Sequence, residues 1–297
     1  MHKFLEKYLL IIAMIIGIAF HKQLYVFNPI IPYLLSLMLF VTYCRVTWNE
    51  VRLTKFHYIL LAIQYVGSAA VYILLKPFNE ILAQAVMICI LTATATSAPV
   101  VTGILDGNVS TAAAYTILSN LLVAFMAPLF LSVIGSANES VPFFASFWYI
   151  FQKVMPILLV PFVLALLLAK ISPKAHRKVR NAQIISFYLW AAALTIVIGN
   201  VTQFVLANND GNYSLELTIA AITLAVCLMQ FIFGRRIGSR FNNTVAGGQS
   251  LGQKNTVLAI WLTQTYLNPL ASLGPGLYVL WQNLVNSWQI WRKKKLQ

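Results

Sequence analysis

The sequence is short of charge. Only 9% of its 297 residues are charged and 60% are hydrophobic, whereas a soluble domain carries about a quarter charged residues to hydrate its surface. That shortage excludes a water-soluble globule and makes a bilayer the solvent. Acidic side chains are scarcest, seven in all. Glu6, Glu50, Glu80, Asp106, Glu139, Asp210 and Glu216 lie near the ends of apolar runs or between them, so no carboxylate is expected at mid-membrane. The three cysteines, Cys44, Cys89 and Cys227, show neither metal-site spacing nor pairing logic and read as buried small side chains. The four histidines, His2, His21, His57 and His176, fall in loops or at run ends. Without a nucleophile–base pair in the apolar runs, a His-Glu-x-x-His pattern or a phosphate-binding loop, an intramembrane enzyme is not expected. Nor is a repeated carbonyl filter or charged ring present to suggest a channel.

What the sequence has is apolar length. Runs at 5–20, 28–44, 57–75, 79–105, 109–134, 144–169, 181–206, 214–234, 243–267 and 270–290 suit spans of about 20 residues each. Ten of them with short connections make one transmembrane domain over 1–297. The stretch Met1 to Phe20 has the basic-then-apolar form of a signal peptide. No small-residue cleavage site precedes His21-Lys22-Gln23, so it is expected to stay as a first span.

The net charge of +14 does not point to nucleic acid, because lysines and arginines cluster in short connections that orient spans and meet anionic headgroups. With the N-terminus cytoplasmic, the inside segments hold Lys3, Lys7, Arg45, Arg52, Lys55, Lys170, Lys174, Arg177, Lys178, Arg180, Arg235, Arg236, Arg240, Arg292, Lys293, Lys294 and Lys295. The outside loops hold Lys22 and Lys76. That bias predicts both termini inside. Ten spans divide into two groups of five, about 1–135 and about 140–291. An odd group size inverts the second group, as in inverted-repeat transporters. Gln64 and Gln230, and Asn120 and Asn283, are weak echoes between the halves.

Two spans carry material that a simple helix in lipid avoids. The fourth holds Thr92-Ala93-Thr94-Ala95-Thr96-Ser97-Ala98-Pro99, then Thr102, Gly103, Asp106, Gly107 and Asn108. The ninth holds Gly247-Gly248-Gln249-Ser250-Leu251-Gly252-Gln253-Lys254-Asn255-Thr256. Pro99 removes an amide hydrogen and crowds the preceding turn. Unwound backbone at membrane depth survives only inside protein or along a cavity, and paired interruptions mark a transport site. Lys254 adds a charge whose insertion costs roughly 2.5–3.5 kcal/mol, which makes it a functional candidate. Bracing the crossing is its plainer role. Lys153, early in the sixth span, can snorkel to the outer interface.

The stretch Ser250-Leu251-Gly252-Gln253-Lys254-Asn255-Thr256-Val257-Leu258-Ala259 resembles the bile acid:sodium symporter family, whose ninth span reads roughly Glu-x-Gly-x-Gln-Asn-x-x-Leu-Ala. Pro275-Gly276-Leu277-Tyr278-Val279-Leu280-Trp281-Gln282-Asn283 is similar to the family's tenth span. Thr102 to Asn108 followed by Ala127-Pro128 is similar to its fourth and fifth. The resemblance implies an all-α protein with a panel domain (spans 1, 2, 6 and 7) and a core domain (spans 3–5 and 8–10). Spans 4 and 9 would be broken and cross near the midplane. It also implies alternating access, an organic anion as substrate, usually with sodium, and residence in a bacterial cytoplasmic membrane as a monomer or weak homo-oligomer.

The departures from the family pattern bear on coupling. The family's sodium sites use a span 9 glutamate and a following glutamine, matched here by Ser250 and Lys254. The family's polar Ser-Asn pair near the span 4 break is matched here by Ala98-Pro99, and its span 5 serine by Ala112, while Thr116 and Gln64 keep their polar groups. Losing the carboxylate and neutral oxygens is expected to abolish ordinary sodium binding. Lys254 is then a tethered cation in place of sodium. The expectation is a sodium-independent organic-anion carrier whose site draws on Lys254, Ser250, Gln253, Asn255, Gln64, Thr116, Pro99, Thr102, Asn108 and Asn283. The alternatives are a proton-coupled carrier through Lys254 and a binding or sensory protein that keeps the fold without flux. Trp261, Tyr266 and Tyr278 are expected either to line a substrate cavity or to pack and anchor.

Overall fold

A computed structural model describes residues 2–45, 52–135, 142–207 and 213–296. Among these the chain is helical, without named strands. In order come α1 (His2–Ala19), α2 (His21–Leu24), a 3-10 turn (Tyr25–Ile30), α3 (Ile31–Cys44), α4 (Lys55–Leu75), α5 (Glu80–Leu91), α6 (Ala98–Ile104) and α7 (Val109–Gly135). Then follow α8 (Phe143–Ile171), α9 (Pro173–Asn181), α10 (Gln183–Ala207), α11 (Ser214–Ser239), α12 (Thr244–Gly252), α13 (Thr256–Tyr266), a 3-10 turn (Pro269–Ser272) and α14 (Leu273–Leu296). Among the described residues six helical stretches are long and apolar enough to cross a membrane, and the protein is an integral membrane protein.

Lipid exposure explains which apolar residues remain uncovered. Large side chains such as Tyr33, Ile73, Phe144 and Ile171 stand exposed along helices, a pattern that is costly in water and ordinary in hydrocarbon. Polar side chains instead gather inside, including Gln64, Ser119, Asn120, Gln249 and Lys254. Helices α1, α10, α3 and α8 pack side by side in that order, and α4, α5, α11, α12, α13 and α14 pack as neighbours around the two helix interruptions.

Sequence boundaries shift where local chemistry overrides hydropathy. His21, Lys22 and Gln23, read as a break, are helical, and the helix kinks through a 3-10 turn holding Pro29 before continuing to Cys44. The basic connection after the sixth run folds as α9, whose polar surface suits an interfacial helix. Arg235 and Arg236 lie within α11, which runs past the expected end at 234.

The expected unwinding over Gly247 to Thr256 is narrower in the structure. Gly247 and Gly248 are helical, and their role is close packing: a Cβ at Gly234 would strike the Gly247 backbone, and one at Gly247 would strike Gly234. Small residues let these two backbones touch. Cys44, Cys89 and Cys227 are free and buried. Glu50, Glu139 and Asp210 lie outside the described residues.

Candidate functional site

Two short extended segments meet inside the helical bundle. Helix α5 stops at Leu91, and Thr92 leaves it with φ −62° and ψ 154°. The alternating Thr-Ala run that follows favours extended backbone, because β-branched side chains restrict the helical rotamers. Helix α12 stops at Gly252, Gln253 turns extended (ψ 120°), and the Asn255 side chain starts α13 by accepting from the Leu258 amide at 3.2 Å. Thr94 and Lys254 form an antiparallel bridge. Around it, the Asn255 amide donates to the Ala93 carbonyl at 2.8 Å and the Ala95 amide to the Gln253 carbonyl at 3.1 Å. Each interruption thereby satisfies backbone groups freed by the other, which a dry interior demands.

Lys254 occupies the centre of this contact and is 1% exposed. Its Nζ donates to the Ile90 carbonyl at 2.8 Å and the Thr92 carbonyl at 3.3 Å. The neighbouring carbonyls at the α5 terminus are also taken. Gln230 Nε2 donates to Cys89 at 3.3 Å, while Gln64 Nε2 donates to Leu91 at 2.8 Å and Thr92 at 3.1 Å. A helix C-terminus leaves its last carbonyls unpaired and carries partial negative charge, so three side chains cap this one and one of them is cationic. The single ion pair among the described residues joins Lys293 and Asp106 elsewhere, so no described carboxylate balances Lys254.

The supports of the two breaks correspond. The Lys254 peptide is clamped by Gln282 of α14, which accepts from its amide at 2.7 Å and donates to its carbonyl at 3.2 Å. The Thr94 peptide is clamped by adjacent residues of α7: Ser119 accepts from its amide and Asn120 donates to its carbonyl, both at 3.1 Å. Tyr115 donates to Gln64 Oε1 at 2.7 Å, and Gln230 donates to the Tyr278 hydroxyl at 2.8 Å. Tyr278 in turn donates to the Gly252 carbonyl at 2.9 Å.

The sequence candidates divide. Lys254, Gln253, Asn255, Ser250 and Gln64 come together at the crossing. Ser250 accepts from Thr94 Oγ1 through its carbonyl at 2.7 Å, and its own hydroxyl has no partner. Gln253 accepts from Ser97 Oγ at 2.7 Å and donates to Gln249. The others stand apart. Pro99 sits in the first turn of α6, where a missing amide costs nothing, so it starts a helix; the break precedes it. Thr102 bonds the Ala98 carbonyl within α6. Asn108 is exposed and caps α7 through the Thr111 amide.

Asn283 bonds Val279 within its own helix, and the neighbouring Gln282 reaches the crossing instead. Thr116 bonds Ala112 within α7. Thr94, Ser119 and Gln282 were missed. Their signal was a polar residue beside one already noted, separable only by helical phase. Lys153 is exposed with its ammonium 4.6 Å from the Tyr149 ring centre.

A cavity of about 100 Å³ opens between α3, the first break and α7, lined among others by Tyr43, Arg45, Thr96, Pro99, Thr116 and Asn120. Trp261, Tyr266 and Tyr278 are not among its walls. Trp261 packs edge-on against Tyr266, with ring centres 6.0 Å apart, and Tyr278 is fully buried at the crossing.

The family model described as "Sodium Bile acid symporter family" matches residues 13–209, about two thirds of the chain. No curated protein matches it.

Proposed function

The chain belongs to the sodium bile acid symporter family, and from that premise we propose that it is a secondary transporter of a small organic anion in which Lys254 takes the place of a coupling sodium ion. The observation that carries this is the Lys254 ammonium, buried without a described counter-ion and bonded to the carbonyls of Ile90 and Thr92 where two interrupted helices touch. A sodium ion at the crossing would compete with the ammonium for those oxygens. Ile90 and Thr92 already accept from Lys254, Leu91 accepts from Gln64, and Ser250 brings a hydroxyl where the family pattern has a carboxylate. That donor set fits a hard cation poorly.

Ten spans accommodate the helices: α1; α2 with α3; α4; α5 with α6; α7; α8; α10; α11; α12 with α13; and α14. The corresponding clamps on Thr94 and Lys254, and the two glutamine–tyrosine pairs, support two five-span repeats of opposite orientation. The packing of α1, α3, α8 and α10 supports a panel, leaving α4–α7 and α11–α14 as the core that moves against it. The contact of Lys293 with Asp106 joins the end of α14 to the α6–α7 turn, which supports a topology with both termini cytoplasmic. The cavity between α3 and α7 then lies at the panel–core boundary, where a substrate would be carried by alternating access.

A second version keeps the same site but lets Lys254 exchange a proton during the cycle, favoured by its burial without a described carboxylate. Counterflow of labelled organic anions in proteoliposomes, with and without a pH gradient, tests the proposal. Counterflow unaffected by the gradient is expected for a uniporter or exchanger, and gradient-driven accumulation for the proton-coupled version. Saturable binding without counterflow would instead identify a binding or sensory protein.

A further inference from the structure

Two residues that line the cavity between α3 and α7 carry polar atoms that the protein does not satisfy. Asn120 is fully buried and directs its amide nitrogen to the Thr94 and Thr116 carbonyls, at 3.1 and 2.8 Å. Its Oδ1 has no partner. The Tyr43 hydroxyl, on a residue 1% exposed, has none either, although its ring is fixed edge-on against Phe162 at 5.5 Å between centres. A buried polar atom left unpaired costs about 1–3 kcal/mol, so two beside one cavity call for a ligand or its water. Arg45, exposed at the end of α3, completes the lining, and no described carboxylate pairs with it.

Building on the carrier assignment above, we infer that the substrate is a short hydroxylated carboxylate, held by Arg45 at its carboxylate and by Asn120 and Tyr43 at its hydroxyl. The guanidinium fork matches a carboxylate in two parallel hydrogen bonds. Asn120 Oδ1 accepts the substrate's hydroxyl hydrogen, and the Tyr43 hydroxyl donates to the oxygen that bears it. Size agrees: the cavity of about 100 Å³ is smaller than the roughly 150 Å³ void that takes a benzene ring. A chain of about four to six heavy atoms fits within it. A site built around a substrate hydroxyl rejects the analogue lacking it, because its own polar groups are then left unpaired.

The probes are lactate and propionate, which differ by one hydroxyl. Apparent affinities come from melting-temperature titrations of the purified full-length protein, alongside counterflow in liposomes. Lactate is expected to bind about tenfold more tightly than propionate. Tyr43→Phe, which keeps the ring and its packing, reduces that ratio, and Arg45→Gln weakens both ligands alike. Equal affinities, or stabilisation by neither, overturn the inference. Lactate-selective binding without counterflow upholds it and refutes the carrier. Counterflow of other organic anions with no preference for lactate refutes it and leaves the carrier standing.

Discussion

The Lys254 ammonium lies 2.8 Å from the carbonyl oxygen of Ile90, so a side chain from the second helix interruption caps the helix that ends at the first. The contact places a fixed positive charge at the negative end of α5. It also ties together segments that would otherwise present bare backbone to a dry interior.

Replacing Lys254 separates its charge from its hydrogen bonds. Lys254→Gln and Lys254→Met both remove the charge, but only glutamine can still donate to the α5 carbonyls. Lys254→Met is therefore expected to be less stable than Lys254→Gln by about 1–3 kcal/mol, the cost of an unpaired buried carbonyl. Thermal unfolding in detergent measures the difference, and equal stability would show that the carbonyls do not depend on the side chain.

Restoring the family pattern should restore an ion. The double variant Ser250→Glu with Lys254→Gln replaces the ammonium with a neutral amide, whose oxygen can face an ion, and supplies a carboxylate in the same segment. Its melting temperature is expected to rise with sodium at constant ionic strength, whereas that of the wild type stays unchanged. A sodium-insensitive double variant would mean that Ala98, Pro99 and Ala112 also bar the ion.

Close helix packing predicts opposite outcomes for two glycines. A Cβ at Gly234 would strike the Gly247 backbone, which cannot rotate away, so Gly234→Ala should destabilise by about 1–3 kcal/mol, the usual cost of overpacking. At Gly67 the nearest atom to an added Cβ is an Ile90 methyl carbon at 3.8 Å. There alanine is expected to be neutral or to add up to about 1 kcal/mol of helix preference. Monodispersity and melting of the two variants decide it.

Sidedness can be read with thiol labelling, since the natural cysteines are buried. Single cysteines replacing Asp106 and Lys293 are expected to react with an impermeant reagent from the same face, and one replacing Lys76 from the opposite face. Labelling of all three from one side would break the ten-span assignment.

That the chain is an all-helical membrane protein was legible because hydropathy is a property of composition over long windows. Lys254 was legible for a related reason: a lone charge in an apolar run is costly enough to require a partner. What lay beyond reach was phase and register. Gln282 and Asn283 are adjacent in sequence, yet one clamps the Lys254 peptide and the other turns back to its own helix, a difference set by rotation of α14. Pro99 is expected inside the interruption of the fourth span, but it lies in the first turn of α6, a placement that depends on where α5 stops. The polar atoms of Tyr43 and Asn120 gain meaning only when α3 and α7, distant in sequence, face one cavity.

Initial rates of organic-anion uptake into wild-type proteoliposomes, with sodium replaced by choline at matched ionic strength, bear most directly on the assignment of Lys254. Equal rates in both salts are expected if the ammonium is the cation at the crossing. Uptake that depends on sodium in the wild type would contradict it.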